Sequence, residues 1–182
     1  SHKLDPYRKL AMPGKPLIIQ AVALPWKWLF IYPSKNIASV NFVEIPKNRQ
    51  VEFWITSDNV PMSAFFIPQL GSQIYSMAGM RTRLHLASGV VGNYEGLNTQ
   101  YNGDGFSDMH FKVKVADSKA FNNWINKVKR SSSALNKSAY NKLATPNKVI
   151  GKPYPTRYYA GVPKKFFKRI MDQYLKPNAK LF

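Results

Sequence analysis

Hydrophobic positions along most of this chain recur at period two, in short runs separated by Pro, Gly, Asn or Ser. The runs cover 17–23, 26–32, 37–45, 51–57, 64–67, 82–87 and 109–115. Alternation is clearest where Val51, Phe53 and Ile55 share one face, and again where Phe111, Val113 and Val115 do. Such runs predict half-buried antiparallel strands, and their even spacing predicts an all-β sandwich or barrel. Trp26, Trp28, Phe30 and Tyr32 also fall at period two, which predicts four rings on one strand face and Lys27, Leu29 and Ile31 on the other.

Past residue 116 the period changes to that of a helix. Asp117 stands where an N-cap would, Phe121, Trp124, Ile125 and Val128 follow at i, i+3, i+4 and i+7, and Lys127, Lys129 and Arg130 fall in the last turn. This predicts a helix over 118–130, ended by three serines. A shorter helix is expected over 137–144, stopping before Pro146. The Pro and Gly residues of 146–161 favour an extended connection. Pro163 then reads as the first-turn proline of a terminal helix whose apolar stripe is Phe166, Phe167, Ile170, Met171 and Tyr174;. The chain divides accordingly into an irregular lead-in (1–16), a β domain (17–116) and a basic helical extension (117–182).

Composition narrows the class. With 182 residues, 45% hydrophobic and 14% aromatic, the chain suits one well-packed core;. It contains no cysteine, which excludes disulfides, thiolate metal sites and cysteine nucleophiles;. No run approaches the roughly 20 apolar residues that span a bilayer, and the N-terminus shows no signal-peptide core. The first residue is Ser rather than Met, which suits an excised or processed piece. The net charge of +18 is lopsided: residues 1–111 hold 10 Lys and Arg against 7 Asp and Glu, whereas residues 112–182 hold 17 against 2. A nucleic-acid-binding β-barrel is one reading of that charge. The lysines are instead spread at intervals with no helix-turn-helix, zinc-finger or RNP pattern, so a solvated or anion-facing surface is the better reading and no nucleic-acid partner is expected.

Candidate chemistry is sparse. His2, His85 and His110 lack metal-ligand spacing and have no carboxylate pair beside them in sequence;. Gly103-Asp104-Gly105 reads as a tight turn, and Asp104 with Asp108 offers too few oxygen donors for a hard cation;.

Three stretches carry a resemblance. They are Leu24-Pro25-Trp26-Lys27-Trp28-Leu29-Phe30-Ile31-Tyr32-Pro33; Ser63-Ala64-Phe65-Phe66-Ile67-Pro68-Gln69-Leu70-Gly71 continuing through Ser72 to Thr82; and the loop from Asn98 to Met109. Together they resemble subunit II of the haem-copper oxidases. In its copper-bearing members a His precedes Ser-Phe-x-Ile-Pro, and a later loop reads Cys-x-Glu-x-Cys-x-x-x-His-x-x-Met. Anchoring on Ile67-Pro68 and Met109 puts Ser63 and Phe106 at the two His, Asn98 and Asn102 at the two Cys, and Gln100 at the Glu. Only Met109 matches, and a lone thioether is better read as a core methionine. A dinuclear copper pair needs bridging thiolates, so no copper centre is expected.

This wording, with the helical tail around Trp124, Tyr140, Pro163, Phe166 and Phe167, is similar to the quinol-oxidising branch that has lost the copper site. The resemblance covers about residues 5–174. It implies a cupredoxin-like Greek-key β-barrel on the periplasmic face of the bacterial inner membrane, anchored by two preceding transmembrane helices. It further implies no catalytic residue and no cofactor in this chain, with haems and copper in subunit I, and a structural role against that subunit. Trp26 and Trp28 are then either core residues or contacts to the membrane subunit. An electron-entry domain docking cytochrome c is the alternative; the missing cysteines and the positive charge oppose it.

Overall fold

The computed structural model describes residues 14–60, 62–98, 110–146 and 154–182, with the backbone only at Ser72 and Asn98. Two sheets form the body. One has the order β11-β3-β2-β1-β5-β8, from β1 (Leu17–Leu24), β2 (Lys27–Tyr32), β3 (Ile37–Val40), β5 (Val51–Ser57), β8 (Thr82–Leu86) and β11 (Arg157–Ala160). The other has the order β4-β10-β9-β6-β7, from β4 (Phe42–Pro46), β6 (Ser63–Ile67), β7 (Ser72–Ser76), β9 (Gly92–Asn98) and β10 (His110–Ala116). Most neighbours are antiparallel; β1 with β5 and β4 with β10 run parallel.

Between the sheets lies an aromatic core. Trp28 meets Phe65 edge-on at 5.3 Å, Phe65 stacks on Phe111 at 5.1 Å, and Phe30 meets Phe111 at 5.3 Å. Each such pair adds about 1 kcal/mol beyond its buried area. Gly96 lies opposite Phe111 in the β9–β10 register, and a Cβ there would stand 2.0 Å from the ring. The glycine is therefore a socket for the aromatic side chain rather than a strand breaker.

The predicted run 37–45 splits in two. Asn41 adopts φ +57°, a left-handed conformation Asn tolerates better than most residues, and the chain passes there from one sheet to the other;. Its side-chain oxygen accepts from Trp28 N at 2.8 Å, which fixes the crossing against β2.

Helix α1 (Ser118–Ser131) is capped by Asp117, which accepts from Ala120 N at 2.8 Å. Phe121, Ile125 and Val128 enter the barrel core. Helix α2 (Lys137–Ala144) is capped by Asn136, which accepts from Ala139 N at 2.9 Å. Helix α3 (Phe166–Leu175) starts three residues after Pro163, because Lys165 at φ +56° interrupts the helical path; the first-turn role expected of that proline is not realised.

Helices α2 and α3 cover the outer face of the larger sheet. Tyr140, Leu143, Phe166, Phe167 and Ile170 meet Val22, Leu24, Leu29, Ile31, Ala38 and Val40 there. Strand β2 is thus buried on both faces, which explains why all six of its residues are shielded from solvent;.

Candidate functional site

The strand directions define two ends of the barrel. At one end lie the β1–β2 turn, the Asn41 crossing, the β5–β6 and β7–β8 loops, and the connection from β9 to β10. Phe65 pairs with Asn98, so Ser63, two residues earlier on β6, sits beside the start of that last connection. This is the end where the resemblance puts copper.

Ser63 is 1% exposed and opposes Ser76, whose hydroxyl shares a 2.7 Å hydrogen bond with that of Ser57. Small neutral hydroxyls occupy the position that the resemblance aligns with a His ligand. Asn98 is described by its backbone only, and Gln100, Asn102, Phe106 and Met109 lie outside the described residues, as do Asp104 and Asp108. The donor chemistry is fixed by composition, since a chain without cysteine offers no bridging thiolate;. The residues present do not fit a dinuclear copper centre. Among the described residues no group of three or more His, Asp or Glu could hold a metal ion.

Two histidines do have carboxylate partners, contrary to what their sequence neighbours suggest. His110 Nδ1 lies 2.7 Å from Glu95 across β9–β10, and His85 Nε2 lies 3.8 Å from Glu52 across β5–β8. Cross-strand register makes both pairs, which adjacency in sequence cannot reveal.

The tryptophans separate. Trp28 is 1% exposed in the barrel core, packed among Phe30, Phe65 and Phe111. Trp26 is not on β2: with Pro25 it forms the two-residue turn between Leu24 and Lys27, at φ +66° and half-buried. The expected four-ring face is therefore a three-ring face, because the hairpin turn takes the first ring out of the strand. Beyond Trp26, this end exposes Met62, Met77 and Met80, each about half accessible. Met62 and Met77 flank the last β6–β7 pair, Ser63 with Ser76.

Two buried charged side chains, neither anticipated from sequence, tie the helices to this end. Lys27, 1% exposed, donates from Nζ to Leu143 O at 2.6 Å, Pro25 O at 2.8 Å and Thr145 O at 3.3 Å, and lies 4.6 Å over the Tyr154 ring. It meets the C-terminal carbonyls of α2, the negative end of the helix dipole. Burial pushes the Lys27 ammonium down to about 8. Asp58, 6% exposed, accepts from the hydroxyls of Tyr140 on α2 and Tyr174 on α3, each at 2.5 Å. Burial first, and the neighbouring carboxylate second, push both phenols up, Tyr174 to about 12. The only sequence signal was Lys27 alternating with two tryptophans; Asp58 gave none.

These features define a class: a cupredoxin-like domain of the oxidase subunit II type, with an aromatic helical layer fixed to the ligand-loop end and no thiolate to bridge a copper pair;. The fold matches the periplasmic domain of subunit II of cytochrome oxidase from Bradyrhizobium japonicum, with a TM-score of 0.57 at 21% identity, covering 73% of this chain and 99% of that one. Residues 129–178 match the family described as COX Aromatic Rich Motif. Subunit 2 of cytochrome bo(3) ubiquinol oxidase from Pseudomonas aeruginosa is 47% identical over 96% of this chain, and ubiquinol oxidase subunit 2 from Acetobacter aceti is 47% identical over 95%. Over the part it spans, the chain belongs to the quinol oxidase subunit 2 family. It covers about half the length of these relatives, 51% and 55%. Among the described residues no helix is long and apolar enough to cross a membrane.

Proposed function

We propose that this chain is the periplasmic domain of subunit 2 of a proton-translocating ubiquinol:oxygen oxidoreductase. It serves assembly and stability of the complex and carries no redox centre of its own. The observation that carries the reading is a ligand-loop end built on the subunit II scaffold with Ser63 buried at a histidine position and no cysteine anywhere in the chain. Quinol is oxidised within the membrane, so an electron-entry port outside it is unnecessary, and haems and copper belong to subunit I. In this reading the exposed methionines and Trp26 face the membrane-embedded subunit, on the periplasmic side of the inner membrane. Methionine suits such a contact because its flexible thioether adapts to an irregular apolar partner.

Copper loading of two proteins tests it. The wild-type chain is expected to take up no purple copper pair, by metal analysis and near-infrared absorption; one such pair per chain would sink the proposal. A variant carrying Ser63→His, Asn98→Cys, Gln100→Glu, Asn102→Cys and Phe106→His beside Met109 is expected to turn purple. A folded variant that stays colourless would show that the alignment of these positions with copper ligands is wrong.

A further inference from the structure

Among the described residues, the barrel end opposite the ligand loop carries positive charge without ion-pair partners, and the topology shows why it gathers there. The β2–β3 turn brings Lys35 to this end, the β4–β5 turn brings Lys47 and Arg49, and the segment entering α3 brings Lys164 and Lys165. Helix α1 crosses the same end from one sheet to the other. Near its start, Lys47 N donates to Ala116 O at 2.6 Å; beyond its last turn, Ala160 N donates to Ser133 O at 2.8 Å. With Phe121, Ile125 and Val128 turned into the core, α1 presents Lys119, Lys127, Lys129 and Arg130 to solvent.

Among the described residues the nearest carboxylates are committed elsewhere. Asp117 caps α1, and Glu52 faces His85 across β8. Among the described residues the lysine ion pairs are those of Lys168 and Lys176 with Asp172, further along α3. The two ends therefore differ in degree: the ligand-loop end sets exposed methionines beside a few basic residues such as Arg81, Lys112 and Arg157, whereas the other gathers nine Lys and Arg. Like charges gathered without counter-charge repel one another and are relieved by an anionic partner, whose encounter they also steer.

We infer that this cationic end is a docking surface for an acidic, water-borne protein. The choice of a protein over a bilayer rests on the reading above, in which the ligand-loop end faces the membrane. Strands such as the seven-residue β5 are roughly 23 Å long, and a lipid surface on the far side lies well beyond the Debye length of about 8 Å at physiological salt.

The test compares charge position at constant net charge. In the 182-residue chain, Lys127→Glu, Lys129→Glu, Arg130→Glu and Lys165→Glu are combined. A control combines Lys112→Glu, Lys142→Glu, Arg157→Glu and Lys180→Glu, all exposed and away from this end. Binding to poly-L-glutamate is read at 50 and 150 mM salt, with circular dichroism to verify the barrel. The first variant is expected to bind at least tenfold more weakly than wild type and the control within about threefold. A set of four Gln at the first variant's positions, milder for the α1 C-terminus, is expected to lose binding in the same direction. Equal losses in the two charge-reversed variants, or no binding by wild type at 150 mM salt, would overturn the inference and leave the functional reading untouched. Stronger binding through the same residues to vesicles of phosphatidylglycerol and phosphatidylethanolamine than to poly-L-glutamate would overturn the choice of partner and the membrane orientation with it.

Discussion

The barrel interior and the layer between the larger sheet and helices α2 and α3 are both well buried, yet they are held differently. The interior is apolar and aromatic, centred on Trp28, Phe30, Phe65 and Phe111. The outer layer is apolar at its centre, with Tyr140, Phe166 and Ile170 on β1, β2 and β3, but is pinned at one edge by Lys27 and Asp58. Apolar contact is non-directional and fills space. A buried ammonium on three carbonyls and a buried carboxylate on two phenols have few acceptable arrangements. The barrel is therefore specified by packing, whereas the seating of the aromatic-rich helices is specified by polar register at the ligand-loop end.

The hardest break of that contrast is Phe65→Ala. It empties the centre of the ring cluster and is expected to cost about 4 kcal/mol, lowering the denaturant midpoint of the whole domain, helices included. A midpoint that hardly moves would show that the interior repacks and is not the cooperative centre.

A second prediction concerns pH. Glu44 on β4 is 2% exposed, and burial pushes its carboxyl up from 4.5 to about 7, with Lys114 opposing the shift. The folded state then holds a proton that the unfolded chain has released, so Glu44's contribution is complete below pH 4.5 and is lost as pH rises through 7. Stability should fall over that interval by about 3 kcal/mol;, and Glu44→Gln should remove the slope. An unchanged slope in the variant would assign it to another group.

Asp58→Ala should act on the outer layer alone. It strands the buried phenol of Tyr140, while Tyr174, 45% exposed, can turn to water, and is expected to cost about 2 kcal/mol;, read as faster hydrogen exchange in α2 and α3 with barrel amides still protected. Uniform loss of protection would mean that the two regions unfold as one unit and the contrast drawn above is false.

The smallest effect sharpens the comparison at the turn. Trp26 holds a left-handed conformation that costs a bulky residue about 1 kcal/mol;, so Trp26→Gly should raise the stability of this chain by about that amount and, in the proposed reading, weaken its association with the membrane-embedded subunit. A gain in stability with assembly unaffected would remove Trp26 from the interface.

How much of this was legible depended on where each residue's partners lie in the chain. Strands β5 and β10 announce themselves by intact alternation, and β1 by its near-continuous apolar run. Strands β7 and β11 lie at sheet edges, where polar side chains such as Gln73 and Arg157 suffice. Strand β9, in the interior of its sheet, is missing from the predicted runs because Gly92 and Gly96 interrupt it, although Gly96 is there to admit Phe111. Helix α1 and its Asp117 cap are local and were readable; the capping role of Asn136 and the late start of α3 were not. At the candidate site, the absence of any thiolate donor follows from residue identities, whereas the burial of Lys27 and Asp58 depends on helices more than 80 positions away.

The sequence by itself determined the β periodicity, the helical tail and the missing copper chemistry, because donor atoms are covalent facts that no fold can supply. Only the tertiary structure decided which strand is buried twice, which tryptophan turns outward, which charges are locked inside and which are gathered unpaired at one end. Burial and pairing are properties of non-local contacts, and those exist only once the sheets and helices have closed.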